Sequence, residues 1–152
     1  MTGAARARYL TAMTVPLASM QHPQLALVRE LPLHKHLGVR VLDSSDGQSL
    51  VELPVSAVSA NPSNVLHGGI IYTVCDIAAY VALLTMLAPA ESAVTHDLHV
   101  SCLRPAPIGT LVRFEGKVVQ RGKRLAFVDV TATLEGKVIA TARVTKSIVS
   151  PP

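Results

Sequence analysis

The spacing of apolar positions changes twice along the chain, and each change predicts an element. Leu37 to Leu42 and Leu50 to Val55 are short apolar-rich runs separated by Ser45-Asp46-Gly47, which predicts two strands joined by a turn. From Gly68 to about Leu87 apolar residues occupy most of a helical circumference, so the spacing predicts one long helix that stops before Pro89. Such a helix must be buried nearly all round. Beyond it the pattern shifts to strands. Strands are predicted over Ala93 to Leu103, Thr110 to Gln120, Leu125 to Leu134 and Val138 to Val149. Turns are predicted at Pro105 to Gly109, at Arg121-Gly122-Lys123 and at Glu135-Gly136-Lys137. Ala126, Val128, Val130, Ala132 and Leu134 share one face of their strand, and Val138, Ala140, Ala142 and Val144 share one face of the last.

Hairpin-linked strands after one central helix imply an α+β fold with an antiparallel sheet. One twisted sheet alone does not cover a helix that is apolar all round. The sheet must wrap it, or a partner subunit must cover the remainder. Long apolar edge strands also favour pairing with a second copy, so a homo-oligomer is expected. The chain reads as one domain over residues 23–152 behind a flexible tail, 1–22. The tail carries Arg6 and Arg8 before a short apolar stretch broken by Thr residues and Pro16, too interrupted for a signal peptide. A short helix is predicted around Gln24 to Leu31, and His34 and His36 fall in what reads as a loop, without a role.

At 152 residues and 49% hydrophobic, the chain can build a core without disulfide or metal staples. Only 3% is aromatic and Trp is absent, so the core must be aliphatic, which argues against nucleic-acid binding through stacked bases. The net charge of +4 is scattered except at Arg121, Lys123 and Arg124. That excess suits an anionic small ligand, and equally plain solubility. Cys75 and Cys102 lie in apolar segments without metal-ligand spacing, and are read as two buried free thiols of a cytoplasmic protein. The run from Ile70 to Ala88 approaches membrane-spanning length. Asp76, Thr73, Thr85 and two tyrosines within it favour a core helix over stable membrane insertion.

The chemistry concentrates between Asn61 and Tyr80. Asp76 is a carboxylate inside an apolar helix, costly to ionise unless something pairs with it. His67, Gly68 and Gly69 stand where that helix begins. Free N–H groups and the helix dipole gather at such an end, where an oxyanion can be held. The same glycines also permit a tight loop-to-helix turn. His67 offers an imidazole, the usual base, but is read first as fixing that turn through the loop backbone. Eight residues separate Gly68 from Asp76, roughly 12 Å along a helix. If both act on one small group, they must come from different subunits, as two antiparallel helices at a two-fold interface would supply them. Asp76 alone is as readily a buried carboxylate bonded to nearby Thr or Tyr groups. In Thr95-His96-Asp97-Leu98-His99, strict alternation places Thr95, Asp97 and His99 on one face, a poor zinc set. Thr95 is the more useful residue, because its hydroxyl can hold a water beside a carboxylate.

The Asn-x5-His-Gly-Gly-x6-Asp spacing of residues 61–76 resembles the hotdog-fold acyl-CoA thioesterases, in particular their PaaI-like (phenylacetate-pathway) branch. So do Leu103-Arg104-Pro105-Ala106 with Gly109, the hairpin from Gln120 to Ala126, and the closing Ile139 to Thr145. The resemblance covers Leu37 to Val149. It implies a long helix wrapped by an antiparallel sheet of five or six strands, working as a dimer or a dimer of dimers on an acyl-CoA, without metal or other cofactor. It implies that the Gly68 N–H, with Gly69 beside it, polarises the thioester carbonyl. Asp76 of the neighbouring subunit would be general base or nucleophile. Thr95 would orient the water, Asn61 would help hold the attacking group or thioester, and His67 would position the turn. Asn64 lies in the same loop, so Asn61 rests on spacing. Arg121, Lys123 and Arg124 would reach the coenzyme A phosphates, unless they are a solvated turn. The rival reading is a non-catalytic acyl-CoA-binding hotdog protein, a sensor or carrier, which has no need of Asp76.

Overall fold

A computed structural model describes residues 22–150, so the tail expected over 1–22 lies almost wholly outside the described residues. Helices α1 (Pro23–Glu30) and α2 (Pro32–Leu37) lead into strands β1 (Arg40–Ser45) and β2 (Gln48–Pro54). Helix α3 (Gly68–Leu84) follows, then β3 (Ser92–Cys102), β4 (Leu111–Arg121), β5 (Leu125–Leu134) and β6 (Lys137–Val149). The six strands form one antiparallel sheet in the order β1-β2-β4-β5-β6-β3. Two hairpins close through paired left-handed residues, Asp46 with Gly47 (φ 47° and 72°) and Glu135 with Gly136 (φ 50° and 77°). Such turns match the twist of the strands they join.

The sheet wraps α3, which packs against every strand. Register shifts in β1, β3, β4 and the β5–β6 pair increase its local twist and bend it round the helix. Contact is closest at Gly116 of β4, where a Cβ would stand 2.7 Å from the Ala78 carbonyl oxygen and 2.6 Å from Ser49 Oγ. Ser49 Oγ donates to that carbonyl at 2.7 Å, and Ser44 Oγ donates to the Val81 carbonyl at 3.0 Å. The core between helix and sheet is aliphatic apart from Phe114, built from Val51, Leu53, Val74, Val112, Val128, Val130 and Val144 with buried alanines. Leu25 and Val28 of α1 belong to a second cluster with Ile77, Val81 and Leu84 of α3.

The sequence reading is corrected before β1 and at the end of α3. β1 starts at Arg40 because Pro32–Leu37 is helical, ended by Gly38 in the left-handed region (φ 75°). His34 and His36 therefore sit on a helix, and buried His34 places Nδ1 2.6 Å from the Val28 carbonyl oxygen, joining α2 to α1. α3 ends at Leu84, where Thr85 Oγ1 turns back to donate to the Ala82 carbonyl and accepts the Gly47 N–H.

Two surfaces are left uncovered by the described residues. Along α3, Gly69, Tyr72 and Thr73, Asp76 and Tyr80 follow one another at helical spacing as a stripe that no strand fully covers. Beside it, β3 is an edge strand of 11 residues, and its Val94 is 55% exposed. The opposite edge, β1, has only six residues and is interrupted by a bulge, devices that blunt edge pairing.

Candidate active site

His67 is the N-cap of α3, with extended backbone (φ −67°, ψ 133°), and its Nδ1 accepts the Gly69 N–H at 2.9 Å. A Cβ on Gly69 would stand 3.1 Å from that ring nitrogen, so the second glycine makes room for the cap. Gly68 is different. Its backbone is not left-handed, and a Cβ there meets nothing within 4 Å. Neither turn geometry nor packing within this chain requires a glycine at that position. As the first helical residue it also has no acceptor inside the helix for its N–H.

The loop before the helix holds both asparagines. Asn61 Oδ1 accepts from the N–H groups of Ser63 (2.9 Å) and Val65 (3.4 Å), which folds the loop upon itself. Asn64 takes the left-handed conformation (φ 59°), and its carbonyl accepts the Ile108 N–H. Those of Asn64 are backbone roles; neither the Asn64 side chain nor the Asn61 amide nitrogen has a hydrogen-bond partner among the described residues.

Two turns into α3, Asp76 meets Thr95 from β3 and Lys146 from β6. Thr95 Oγ1 donates to Asp76 Oδ1 at 2.7 Å, Lys146 Nζ donates to the same oxygen at 2.7 Å, and Lys146 Nζ donates to Thr95 Oγ1 at 2.8 Å. Nζ also lies 5.5 Å from the centre of the Tyr80 ring, one helical turn on from Asp76. The ammonium is buried, at 2% side-chain exposure, and the carboxylate is open, at 34%. Burial pulls the Lys146 ammonium below its ordinary value, opposed by the charge of Asp76 and its hydrogen bond. Asp76 Oδ2 has no hydrogen-bond partner among the described residues and is the oxygen left for chemistry. A half-exposed carboxylate, anchored through one oxygen and charge-balanced from beneath, is suited to take a proton or attack a carbon.

The remaining basic candidates divide. Arg121 is engaged by Glu91, its Nη2 lying 2.8 and 2.6 Å from the two carboxylate oxygens. Lys123 and Arg124 are exposed and border a groove of about 660 Å³ with Leu125, Ser147, Ile148 and Ser150. Ser147 Oγ in turn lies 3.4 Å from Nδ1 of His96, the residue next to Thr95, so the groove and the carboxylate lie at the same end of β6.

Comparison with known proteins gives this geometry a family. Residues 63–141, more than half of the chain, match the model of the thioesterase superfamily. Acyl-coenzyme A thioesterase 13 of Homo sapiens is 30% identical over 139 residues, covering 90% of this chain and 99% of that protein. The chain belongs to the thioesterase superfamily. A mutant of the phenylacetic acid degradation protein PaaI from Thermus thermophilus superposes with a TM-score of 0.71 at 27% identity, covering 77% of this chain and 98% of its own. A thioesterase from Haemophilus influenzae gives 0.77 at 21% identity over 83% and 88%, a likeness of fold. The fold is the hotdog fold, and the protein is a PaaI-like thioester hydrolase.

Within this thioesterase, two sequence expectations change. The bulge in β3 pairs Thr95 with Lys146 but Asp97 with Thr145, so His96 is the extra residue. Thr95 therefore faces α3, while Asp97 and His99 turn to the opposite face of the sheet, and the three do not share a side. Of the thiols, Cys75 is buried, and burial pushes it up to about 12, whereas Cys102 is exposed rather than buried. Lys146 is the site residue that sequence reasoning missed. Its signal was present: the alternation through Ala140, Ala142 and Val144, carried one step further, puts Lys146 on the inner face. No helix among the described residues is long and apolar enough to cross a membrane.

Proposed function

We propose that this thioesterase hydrolyses acyl-CoA, at sites shared between two copies of the chain. The observation that carries the reading is Asp76, anchored through Oδ1 with Oδ2 unpartnered on the uncovered stripe of α3. Its own helix start lies roughly 12 Å away, beyond the reach of one thioester. The unpartnered edge of β3, next to Thr95, supports a second copy continuing the sheet, which brings two such helices together antiparallel. The substrate class follows the relatives named acyl-coenzyme A thioesterase in Homo sapiens and Escherichia coli. Lys123 and Arg124 offer positive charge to the coenzyme A phosphates beside the groove.

In this reading the thioester carbonyl accepts the N–H of Gly68 from one copy. Asp76 of the other copy takes the proton from an attacking water, or attacks the carbonyl carbon itself. The oxyanion forms at the helix start, the carbon–sulfur bond breaks, and the thiolate leaves as coenzyme A, taking up a proton; where Asp76 is the nucleophile, water then cleaves the acyl anhydride so formed, releasing the acid and restoring the carboxylate. Asn61, through its free amide, helps hold the attacking group or the thioester, and Thr95 and His67 keep carboxylate and helix start in place.

Release of the coenzyme A thiol across a panel of acyl-CoAs tests the activity. Tight binding without release would favour a sensor or carrier. The shared site has its own test. Gly68→Pro removes the N–H at a position where proline suits a helix, and His67 already has the extended backbone that precedes proline. Gly68→Pro and Asp76→Asn should each be inactive as homo-oligomers. Mixed by unfolding and refolding together, they should recover about a quarter of wild-type turnover, because half of the dimers then hold one intact site. No recovery would place the whole site within one chain.

A further inference from the structure

We propose that Lys146 is a positioning residue of this active site: with Thr95 it fixes Oδ1 of Asp76 and thereby aims Oδ2 at the thioester. The inference rests on the hydrolase reading above and adds a residue to it. An ammonium has three N–H groups and no acceptor. One reaches Asp76 Oδ1 at 2.7 Å and one reaches Thr95 Oγ1 at 2.8 Å. The third side of the ammonium is met by the Tyr80 ring, 5.5 Å to its centre. Lys146 is thus held on three sides and has no freedom to swing.

Thr95 closes the arrangement. Its hydroxyl accepts from Lys146 and donates its single proton to Asp76 Oδ1, so all three groups form one ring of hydrogen bonds. Rotation of the carboxylate about its own axis would break two charge-assisted bonds at once. The carboxylate therefore presents one defined oxygen. At 2% exposure Lys146 is shielded from solvent beneath Asp76 and does not meet the substrate, so it acts through Asp76 and not on the reacting atoms.

The hold extends outward from the reacting end. The Tyr80 hydroxyl donates to Gln24 Oε1 of α1, and Ser92 Oγ donates to the same oxygen at 3.1 Å. The ring that caps Lys146 is thereby tied to the short helix packed against α3.

The test is steady-state kinetics on the full chain, with the acyl-CoA that the wild type turns over fastest as substrate. Lys146→Met keeps an unbranched side chain, one atom shorter, and removes the charge, and Asp76 is open enough to water to tolerate the loss. Its kcat should fall about 100-fold with KM within about threefold, the size expected when a reacting group is mispositioned. In the Asp76→Asn background the same change should add no further loss, since nothing remains to be aimed. Thr95→Val tests the same anchor at an exposed position and should lower kcat about tenfold, again without moving KM. Wild-type kcat in Lys146→Met, or in Thr95→Val should the first variant not fold, would overturn the inference. A loss in KM alone would also overturn it, by making Lys146 a binding or packing residue. Turnover retained by Asp76→Asn would instead sink the hydrolase mechanism beneath it, which separates the two failures.

Discussion

Glu52 and Asp76 are both carboxylates on apolar elements, and the protein treats them in opposite ways. Glu52, on β2, is 5% exposed, and each oxygen is occupied: Oε1 accepts from Arg113 and Oε2 from Arg40, both at 3.0 Å. Its partners are the exposed ends of the interaction, with 43% and 57% of their side-chain surface open. At Asp76 the order is inverted. The cation lies beneath, the carboxylate faces outward, and only one of its oxygens is engaged. A carboxylate bonded through both oxygens has finished its work in holding three strands together. One that is charge-balanced from within and leaves an oxygen unspent has capacity for chemistry. Pairing alone therefore does not separate a structural acid from a reactive one; the separation lies in which partner is buried and how many lone pairs remain.

The largest effect expected from this contrast comes from exchanging each acid for its amide. Asp76→Asn should lower turnover at least about 1,000-fold without changing the fold or the state of association, the loss of a reacting acid or base. Glu52→Gln should leave turnover within about twofold. It faces an amide N–H₂ against Arg40 and should lower unfolding stability by about 1–2 kcal/mol, a value held down because both arginines can turn to water. Urea unfolding of the two variants alongside thiol release checks both halves. Comparable activity losses in the two would dissolve the distinction.

Much of this was legible in the chain before any coordinates. The long helix, all six strands, with the start of β1 placed three residues early, and the offset between Gly68 and Asp76 follow from periods of 3.6 and 2 and from the helical rise. The β3 face assignment was not legible, because strict alternation cannot see the bulge at His96, and one extra residue reverses every side chain after it. Helix α2 was hidden by its brevity, since six residues between Pro32 and Gly38 carry too little periodicity to distinguish them from a loop. Lys146 was hidden by type. A lysine read from sequence is assigned to the surface, although its neighbours two and four residues back, Val144 and Ala142, face the core.

The basic hairpin gives an intermediate test, because it contrasts a cation already paired with two that have no ion-pair partner among the described residues. Lys123 and Arg124 are exposed beside the groove, while Arg121 is bound to Glu91. Replacing Lys123 and Arg124 together by alanine should raise KM for acyl-CoA several-fold with kcat little changed, and should weaken the dependence of KM on salt. Arg121→Met should leave KM near that of the wild type. The reverse order would assign the phosphates to Arg121 and make the hairpin tip a solvated turn.

The smallest expected effect lies in the pH dependence of that same Glu91–Arg121 pair, a third arrangement in which both partners are partly open to water. The Glu91 carboxyl is held below its ordinary value of 4.5, first by the Ala88 N–H and then by Arg121. A depressed carboxyl contributes stability that is present above its unfolded value and is lost as the pH falls through its folded value. Arg121→Met removes the second cause and keeps the first. The wild type should therefore be slightly the more stable at pH 7. The difference should persist down to the ordinary glutamate range and fade below it, as Glu91 becomes protonated in both proteins. Thermal unfolding of the two at a series of pH values reads this directly. A difference that stayed constant into strong acid would mean that Arg121 acts by packing its side chain between β4 and the loop before β3, and that the ion pair adds nothing.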